Sequence, residues 1–467
     1  MPKKKTALTI EERLQQALVP AEEQPYEVPE NWVWVRLGNF IDLLRGVSYK
    51  KHDVHNEKME NDCLILRGGN IIEGGLDLNA DNVYVDKSLV SEAQLIRKND
   101  IIIVSSTGSV KVIGRAGLAF YDYNDVAFGA FLTLARPKNG CNKSFVDLFF
   151  QSFLYRQSIR ELASGVNINN IRSEYITNMT LPLPPLSEQQ RIVERIEELF
   201  AKLDEAKERL QEVANSFAVR KAAILHKAFT GELTKQWRRE NGVSDESWEE
   251  KKLGEVCSVN PRKIDAKNLD DNLEVSFIPM AAVSDVLGEI VNPEVKNLED
   301  VRTGFTNFAE GDVIFAKITP CMENGKSAVV GPLLNDIGYG STEFYVLRCK
   351  EELYNKYLYH MVRNTTFRAE AKAVMTGAVG QQRVPKTFLQ EYQLLLPTIP
   401  EQHEIVRLID DLLARERSAQ QAAEQALASI DLMKKSILAR AFRGELGTNK
   451  ASEASALELL RQVLAEN

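Results

Sequence analysis

Residue patterns that could support catalysis are few in this chain of 467 residues. The segment Gly325-Lys326-Ser327 matches the end of a phosphate-binding loop, in which glycine backbone N–H groups, a lysine and a hydroxyl hold a nucleotide. The first glycine position of that motif is occupied by Pro320, which cannot form the required turn. The sequence therefore argues against ATP binding at this loop.

Patterns for methyl transfer, metal binding and DNA cleavage are equally weak. Amino-methylation of DNA requires an Asn/Asp-Pro-Pro-aromatic motif, and the segments 259–262 and 291–294 lack its second proline. Asp285 with Glu294 and Lys296 forms a carboxylate–lysine triplet, but such triplets are frequent by chance. Histidines and cysteines show no metal-ligand spacing. We therefore expect no catalytic residue, no metal site and no cofactor in this chain.

Composition places the chain in a reducing compartment. The 5 cysteines are odd in number and contain no Cys-x-x-Cys pair, which is typical of free thiols in the cytoplasm. The sequence has no run of about 18 apolar residues, so we expect no membrane contact. A net charge of −8 gives no indication of nucleic-acid binding, so any DNA contact must come from local patches or from a partner subunit.

Local patches suited to DNA recognition occur between residues 45 and 172. Glycines let the backbone approach phosphates, while Arg and Asn side chains can form paired hydrogen bonds with guanine and adenine. One patch is basic and aromatic, and two others are polar and rich in glycine or asparagine. The candidate DNA-binding residues here are Arg45, Tyr49, Lys50, Lys51, Arg67, Asn70, Ser106, Thr107, Ser109, Lys111, Asn167, Asn169, Asn170 and Arg172.

Similar patches recur at matching places later in the chain. This recurrence favours a recognition role over the alternative that each patch is an ordinary solvated turn. The candidate DNA-binding residues of the second set are Arg262, Lys263, Lys317, Thr319, Asn324, Lys326, Gln381, Gln382 and Arg383.

The elements that position these patches are duplicated. Residues 181–233 and 394–446 align without a gap at an offset of 213, with 20 identities in 53 positions. The repeat extends backwards, since Trp32 and Leu37 match Trp248 and Leu253, and 99–103 matches 311–315. The chain is therefore a variable segment followed by a helix, twice over.

The repeated segments predict two long helices with a heptad seam. Prolines break the chain before each helix, Ser187 is the expected N-cap of the first, and Gly231 and Gly444 are the expected C′ residues. Apolar positions spaced alternately by 4 and 3 residues predict an intramolecular antiparallel coiled coil; two unrelated surface helices are the alternative. The seam residues are Ile192, Ile196, Leu199, Leu203, Ala206, Leu210, Val213, Phe217 and Ile224 in the first helix, and Ile405, Ile409, Leu412, Ala419, Ala423, Ala426, Ile430, Met433 and Ile437 in the second.

Each variable segment combines short apolar runs, such as Ile101–Val104 and Val313–Ala316, which predict strands, with helical stretches near 145–163 and 354–374. The predicted fold class is α/β (α+β), with two mixed domains separated by the two long helices in a pseudo-twofold repeat. The expected division is an N-terminal extension at 1–28 with a short helix, a mixed domain at 29–180, helix 1 at 181–233, a linker at 234–246, a second mixed domain at 247–393, helix 2 at 394–446 and a C-terminal tail or helix at 447–467.

The sequence resembles the specificity subunits of type I restriction–modification systems. The segments "LPLPPLSEQQRIV" and "LLLPTIPEQHEIV", with "AILHKAFTGEL" and "SILARAFRGEL", are similar to that family's two conserved regions. "PENWVWVRLG" and "ASGVNINNI" resemble the start and end of a target-recognition domain. The resemblance covers the chain after residue 29, while residues 1–28 depart from the family pattern.

The resemblance implies a non-catalytic subunit that binds double-stranded DNA. The mixed domains at 29–180 and 247–393 would be two target-recognition domains, each of which would read one half of a bipartite, asymmetric site. Two methyltransferase subunits, which bring S-adenosylmethionine, would dock on the helices, and two restriction subunits would supply ATP- and Mg-dependent translocation and cleavage. At about 1.5 Å per residue the first helix is long enough to set the spacer between half-sites.

Two other functions remain open. The chain could be the specificity subunit of a combined methylase–nuclease that cuts on both sides of its site. It could also be a coiled-coil scaffold without a DNA role, which failure of the complex to footprint any DNA would favour.

Overall fold

The computed structural model describes residues 9–109, 111–165, 170–262, 268–378 and 380–466. The chain divides into two compact units that do not follow chain order. The first unit is Met1–Arg209 with Ala426–Asn467, and the second is Leu210–Gln425. Each unit therefore contains one variable segment and a part of both long helices.

The helices of the described residues include two of 44 residues each, which are the two predicted from the repeat. In chain order they are α1 Ile10–Ala17, α2 Lys143–Gln151, α3 Phe153–Gly165, α4 Ser173–Thr177, α5 Leu186–Phe229, α6 Lys235–Glu240, α7 Leu253–Val256, α8 Leu298–Val301, α9 Asn355–Arg363, α10 Thr365–Ala373, α11 Lys386–Glu391, α12 Ile399–Phe442 and α13 Ala456–Glu466.

The strands are short and fall almost entirely in the variable segments. They are β1 Val33–Arg36, β2 Ile41–Arg45, β3 Asp62–Leu66, β4 Ile71–Ile72, β5 Gly75–Leu76, β6 Tyr84–Asp86, β7 Ile101–Val104, β8 Ala116–Leu118, β9 Val126–Phe128, β10 Leu132–Pro137, β11 Thr180–Leu183, β12 Glu249–Lys252, β13 Cys257–Val259, β14 Glu274–Ile278, β15 Glu294–Asn297, β16 Thr306–Phe308, β17 Val313–Ala316, β18 Ser327–Val329, β19 Gly338–Gly340, β20 Phe344–Cys349 and β21 Gln393–Leu396.

The two units have matching sheets. The order β2-β10-β7-β8 in the first unit corresponds to β13-β20-β17-β18 in the second, and both sheets are antiparallel. A second sheet, β6-β3-β9 or β15-β14-β19-β16, contains one parallel pair in each unit. Strand β1 pairs with β11, and β12 with β21, so each variable segment starts and ends on one antiparallel strand pair. The mixed α/β class and the internal repeat are thus confirmed.

The long helices run antiparallel inside each unit. In the first unit Lys434 of α12 pairs with Asp204 of α5 at 2.5 Å, and Lys207 pairs with Asp431 at 3.1 Å. Residue numbers fall on one helix as they rise on the other. In the second unit Arg220 of α5 binds Glu416 of α12 at 2.9 Å. Glu416, which interrupts the apolar seam in the sequence, is therefore held by an ion pair.

Most seam residues face the partner helix or the domain core. Ile192, Ile196, Phe217, Ile405, Ile409, Ala423 and Ile430 are buried, and Leu199, Leu203, Leu210, Leu412 and Ile437 are half-buried. Val213 and Met433 are 44% and 50% exposed, and Ala419 is also exposed, so these three assignments were wrong. All three lie in the middle stretch of the helices, between the parts that pack into the two domain cores.

The helix ends differ from expectation at one terminus only. Helix α5 begins at Leu186, so Ser187 lies inside the helix and is not its N-cap. Gly231 and Gly444 have φ of +78° and +73°, the left-handed conformation that glycine adopts without strain. The expected glycine stop signals are therefore confirmed.

The terminal segments belong to the core of the first unit. Leu14 and Ala17 of α1 are buried in the same cluster as Leu460 and Val463 of α13. Helix α1 begins with a capping box in which the Thr9 hydroxyl accepts from the Glu12 backbone N–H at 3.2 Å. The segments assigned as an extension and a tail thus pack on each other.

Candidate nucleic-acid interface

Three loops of the first unit meet beside strands β7 and β10. The Phe131 carbonyl accepts hydrogen bonds from the backbone N–H groups of Ser105 and Ser106, at 3.1 and 3.0 Å, and from the Ser105 hydroxyl at 3.1 Å. The Ile171 N–H donates to the Ser105 carbonyl at 2.7 Å, and Ser106 bridges to Asn170. We define residues 105–107, 129–131 and 170–172 as loop cluster 1.

The second unit repeats these hydrogen bonds with different side chains. The Lys317 N–H donates to the Glu343 carbonyl at 2.9 Å, the Val384 N–H donates to the Lys317 carbonyl at 2.9 Å, and Ile318 bridges to Arg383. Each bond matches one in loop cluster 1 at an offset of 212 or 213 positions. We define residues 317–319, 341–343 and 382–384 as loop cluster 2.

Several predicted residues lie in or beside loop cluster 1. Asn170 and Arg172 are exposed there, and Ser106 and Thr107 are half-buried. Ser109 and Lys111 are exposed in the adjoining turn, where the Ser109 N–H donates to the Thr107 hydroxyl at 3.3 Å.

The basic and aromatic patch at residues 45–51 packs beside loop cluster 1. The Val47 N–H donates to the Phe128 carbonyl at 2.7 Å. A Cβ on Gly46 would lie only 2.1 Å from the Gly129 carbonyl oxygen, so glycine is required there for the close approach. The predicted residues Arg45, Lys50 and Lys51 are exposed on this loop, and Tyr49 is half-buried.

Arg67 and Asn70 have local structural roles. The Asn70 side chain is fully buried, accepts from the Arg67 N–H at 2.7 Å and donates to the carbonyls of Asp77 and Ala80. In this conformation Asn70 shapes its loop and presents nothing to a base. The Arg67 side chain is exposed but pairs with Asp81 at 3.2 Å.

The second set of predicted residues divides in the same way. Lys317, Thr319, Gln382 and Arg383 lie in loop cluster 2, and Gln381 adjoins it. Arg262 and Asn324 are exposed on neighbouring loops. The half-buried Lys326 ammonium donates to the Met280 carbonyl at 3.1 Å, and Ser327 is buried in strand β18. The Gly-Lys-Ser segment therefore leads into a strand, whereas a phosphate-binding loop leads into a helix.

Three predicted residues, Asn167, Asn169 and Lys263, lie outside the described residues. Two cluster residues were missed by sequence reasoning. Phe131 is 70% exposed at the tip of loop cluster 1, and Glu343 takes the equivalent place in loop cluster 2. The extended match of 99–103 with 311–315 could have revealed their equivalence, because it fixes the offset at 212.

Electrostatic coupling links the side chains of loop cluster 2. Arg383 donates from Nε and one Nη to the two carboxylate oxygens of Glu343, both at 2.9 Å. These hydrogen bonds lower the pKa of Glu343 and keep it ionised. Burial lowers the pKa of Lys317, whose ammonium lies 5.2 Å from the Tyr345 ring centre. The cluster thus presents an oriented guanidinium beside a lysine.

The repeated Glu-Gln pair holds the helix ends. Glu188 is buried and accepts from Trp32 Nε1 at 2.8 Å and from Asn449 at 2.8 Å. The equivalent Glu401 is buried and accepts from Arg238 at 2.6 Å and from the Thr234 hydroxyl at 2.6 Å. Each glutamate at the start of one long helix therefore binds the segment that follows the other.

The adjacent glutamines fix the recognition domains to the same helices. Gln189 accepts from the Asn142 backbone N–H at 2.9 Å, just before α2. Gln402 accepts from the Tyr354 N–H at 2.7 Å, just before α9. The repeated Glu-Gln motif is therefore an anchor for the recognition domains.

The described residues contain no group of three or more His, Cys, Asp or Glu side chains placed to hold a metal ion. Among the same residues, no helix has the length and apolar character needed to cross a membrane.

Two α/β units that present the same backbone loop cluster with different side chains define a duplicated recognition protein. The chain belongs to the family whose model is described as the type I restriction modification DNA specificity domain, which matches residues 29–215 and 245–426.

Full-length relatives agree with this assignment. The chain is 28% identical over 454 residues to the StySPI type I restriction enzyme specificity subunit of Salmonella potsdam, covering 94% of this chain and 96% of that protein. It is 28% identical over 452 residues to the EcoKI specificity subunit of Escherichia coli K12, with the same two coverages.

Solved structures share the fold. The HsdS subunit from Thermoanaerobacter tengcongensis superposes with a TM-score of 0.61 at 20% identity, covering 91% of this chain and 100% of that one. A chain from a structural study of the assembly and conformational transition of the type I R-M system superposes with a TM-score of 0.64 at 19% identity, covering 90% of this chain and 100% of that one.

Proposed function

We propose that this chain is the DNA-recognition subunit of a type I restriction–modification complex. Loop cluster 1 reads one half of a bipartite site in double-stranded DNA, and loop cluster 2 reads the other half. The observation that carries this proposal is the pair of clusters, which share backbone hydrogen bonds but differ in side chains. A common scaffold with different base-facing groups suits two half-sites of different sequence.

The chain acts without catalysing a reaction in this proposal. Two methyltransferase subunits dock on the long helices and supply S-adenosylmethionine, and two restriction subunits supply ATP and Mg chemistry. The purified chain alone is expected to transfer no methyl group, hydrolyse no ATP and cut no DNA. The cytoplasmic location also stays a prediction.

Methylome sequencing of cells that express this chain with its partner methyltransferase tests the proposal. The expected result is one methylated motif with two defined halves and an undefined spacer. Absence of any chain-dependent motif, with the complex assembled, would contradict the recognition role.

Two substitutions then separate base reading from phosphate binding. Arg172→Ala should weaken binding to the identified site by roughly 1–3 kcal/mol, because a base contact depends on the sequence. Binding to random DNA should change little. Lys50→Ala should weaken binding to the identified site and to random DNA about equally and should flatten the salt dependence of binding, because a phosphate contact does not depend on the base sequence. Equal behaviour of the two variants would show that the loops have been assigned the wrong roles.

A further inference from the structure

An exposed aromatic ring stands at the tip of loop cluster 1. The Phe131 carbonyl accepts three hydrogen bonds from Ser105 and Ser106, and the next residue, Leu132, is buried. The backbone beneath the ring is therefore fixed on both sides, while 70% of the residue remains exposed. Such a ring contributes little to the core and is available for contact with a molecule that binds at the cluster.

The equivalent position in loop cluster 2 has the opposite chemistry. Glu343 occupies the place of Phe131, and Arg383 occupies the place of Asn170. The Glu343–Arg383 ion pair is bidentate, and 43% of the Arg383 side chain is exposed. The two units thus place an apolar group and a charged group on the same backbone frame.

The ion pair orients Arg383 without using all its donors. Glu343 takes Nε and one Nη, and the other Nη donates to the Gln381 carbonyl at 3.1 Å. A guanidinium has five N–H groups, so one N–H on each Nη remains. These two N–H groups, one on each Nη, can donate to the N7 and O6 acceptors of guanine in the major groove.

We propose that the position shared by Phe131 and Glu343 determines a base in each half-site. Phe131 contacts a thymine methyl group in the half-site of the first unit. Arg383, positioned by Glu343, reads a guanine in the half-site of the second unit. This inference rests on the proposed function and names the chemistry of its two clusters.

Uracil substitution tests the thymine contact. The motif is first identified by methylome sequencing, and each thymine in the first half-site is then replaced by deoxyuridine, which lacks only the methyl group. For the wild-type chain in complex with its methyltransferase, replacement of one particular thymine is expected to lower the affinity for the DNA about fourfold, which is the effect of one buried methyl group. The Phe131→Ala complex should bind both DNAs equally.

A matched control uses Tyr121→Ala. Tyr121 is 69% exposed in the same unit, but it follows β8, whose end lies beside the start of β7, away from the cluster. This variant should keep the wild-type response to uracil. If no thymine shows a response that Phe131→Ala removes, the thymine contact is overturned.

Glu343→Gln tests the positioning role. This variant keeps the shape of the side chain and the charge of Arg383, so binding should persist while the preference for guanine over adenine at one base pair falls at least fivefold. Arg383→Lys should lower the same preference, because lysine lacks the planar fork. Glu391→Gln, which breaks an exposed ion pair with Lys252, is the control and should change neither quantity.

The outcomes separate this inference from the proposed function. A complex that binds no defined motif contradicts the proposed function itself. A complex that binds its motif, but whose preferences are unchanged by Glu343→Gln and Arg383→Lys, contradicts only the guanine reading.

Discussion

The equivalent glutamates Glu188 and Glu401 show how one residue type is satisfied in two ways. Glu188 accepts from the indole and amide donors of Trp32 and Asn449, whereas Glu401 binds the guanidinium of Arg238. Arg238 is itself only 5% exposed. A buried ion pair costs much to break because one charge is left without its partner.

Removal of one member of this pair should destabilise the second unit. Glu401→Ala is expected to lower the free energy of unfolding by about 3 kcal/mol or more, and adding Arg238→Met should recover part of the loss. Chemical denaturation followed by fluorescence measures this, since Trp248 lies 5.9 Å from the Arg238 guanidinium. Lys251→Ala, which removes exposed ion pairs, should change stability by under about 0.5 kcal/mol. An equal loss in both variants would contradict the buried-pair argument.

Asp147 should make stability depend on pH. It is 7% exposed, and burial raises its pKa to about 7, despite a 2.8 Å hydrogen bond from Gln151. A carboxyl with a folded pKa above its unfolded value favours folding most at low pH, and this contribution is lost as pH rises to about 7. From pH 5 to 8, wild type should lose about 2 to 3 kcal/mol relative to Asp147→Asn. Unfolding measured at both pH values checks this, and parallel pH profiles would refute it.

At the scale of elements, the two ends of helix α5 pack into the cores of different units. The first part of α5 packs into the core of the first unit through Ile192 and Ile196. Its last part packs into the second unit through Leu225 and Ala228. Between these parts Phe217 is buried, and Lys207 and Arg220 form ion pairs with α12. Each helix therefore contributes to both units.

Neighbouring apolar residues on α5 should differ sharply in their contribution to stability. Phe217 is 7% exposed, and Phe217→Ala should cost about 3 kcal/mol, as for other buried aromatic residues. Val213, one helical turn away, is 44% exposed, so Val213→Ala should cost less than about 0.5 kcal/mol. Thermal unfolding of the two variants measures the difference. Comparable losses would mean that the heptad assignment of Val213 was right.

At the scale of the molecule, the two ends of each recognition domain meet in one strand pair. The pairing of Val33 with Leu183 and of Arg36 with Thr180 brings the two ends of residues 37–179 together. An exchanged segment must therefore match this pair, the helix anchor at Gln189 and the core contacts with the helices, such as Phe145 against Phe442. Specificity should then be modular.

Exchange of residues 37–179 for the matching segment of another family member should change one half-site only. The second half-site and the spacer should be retained, because loop cluster 2 and the helices are untouched. Methylome sequencing reads all three features at once. A change in both half-sites would show that the domains do not read independently.

The helices should set the spacer. The test lengthens both helices internally, because a segment inserted beyond the end of α5 at Phe229 would fall beside the buried Arg238 pair. Seven residues inserted after Arg209 and seven after Gln425, at the unit boundaries, add about 10 Å of helix and keep the seam in phase. The spacer should grow by about 3 base pairs at 3.4 Å each, with both half-sites unchanged in the methylome. An unaltered spacer in an active complex would show that the helices do not set the spacer length.

The sequence by itself determined the repeat, the two long helices, most of their buried face and the positions of several strands, because these depend on local periodicity and on similarity along the chain. Strands β7 and β17, for example, have the bounds read from their apolar runs. Only the tertiary structure decided which loops meet, since Phe131 and Asn170 are joined through Ser105 and Ser106 across distant parts of the chain. It also showed that Asn70 is buried, because a polar side chain satisfied by backbone carbonyls has the same sequence pattern as an exposed one.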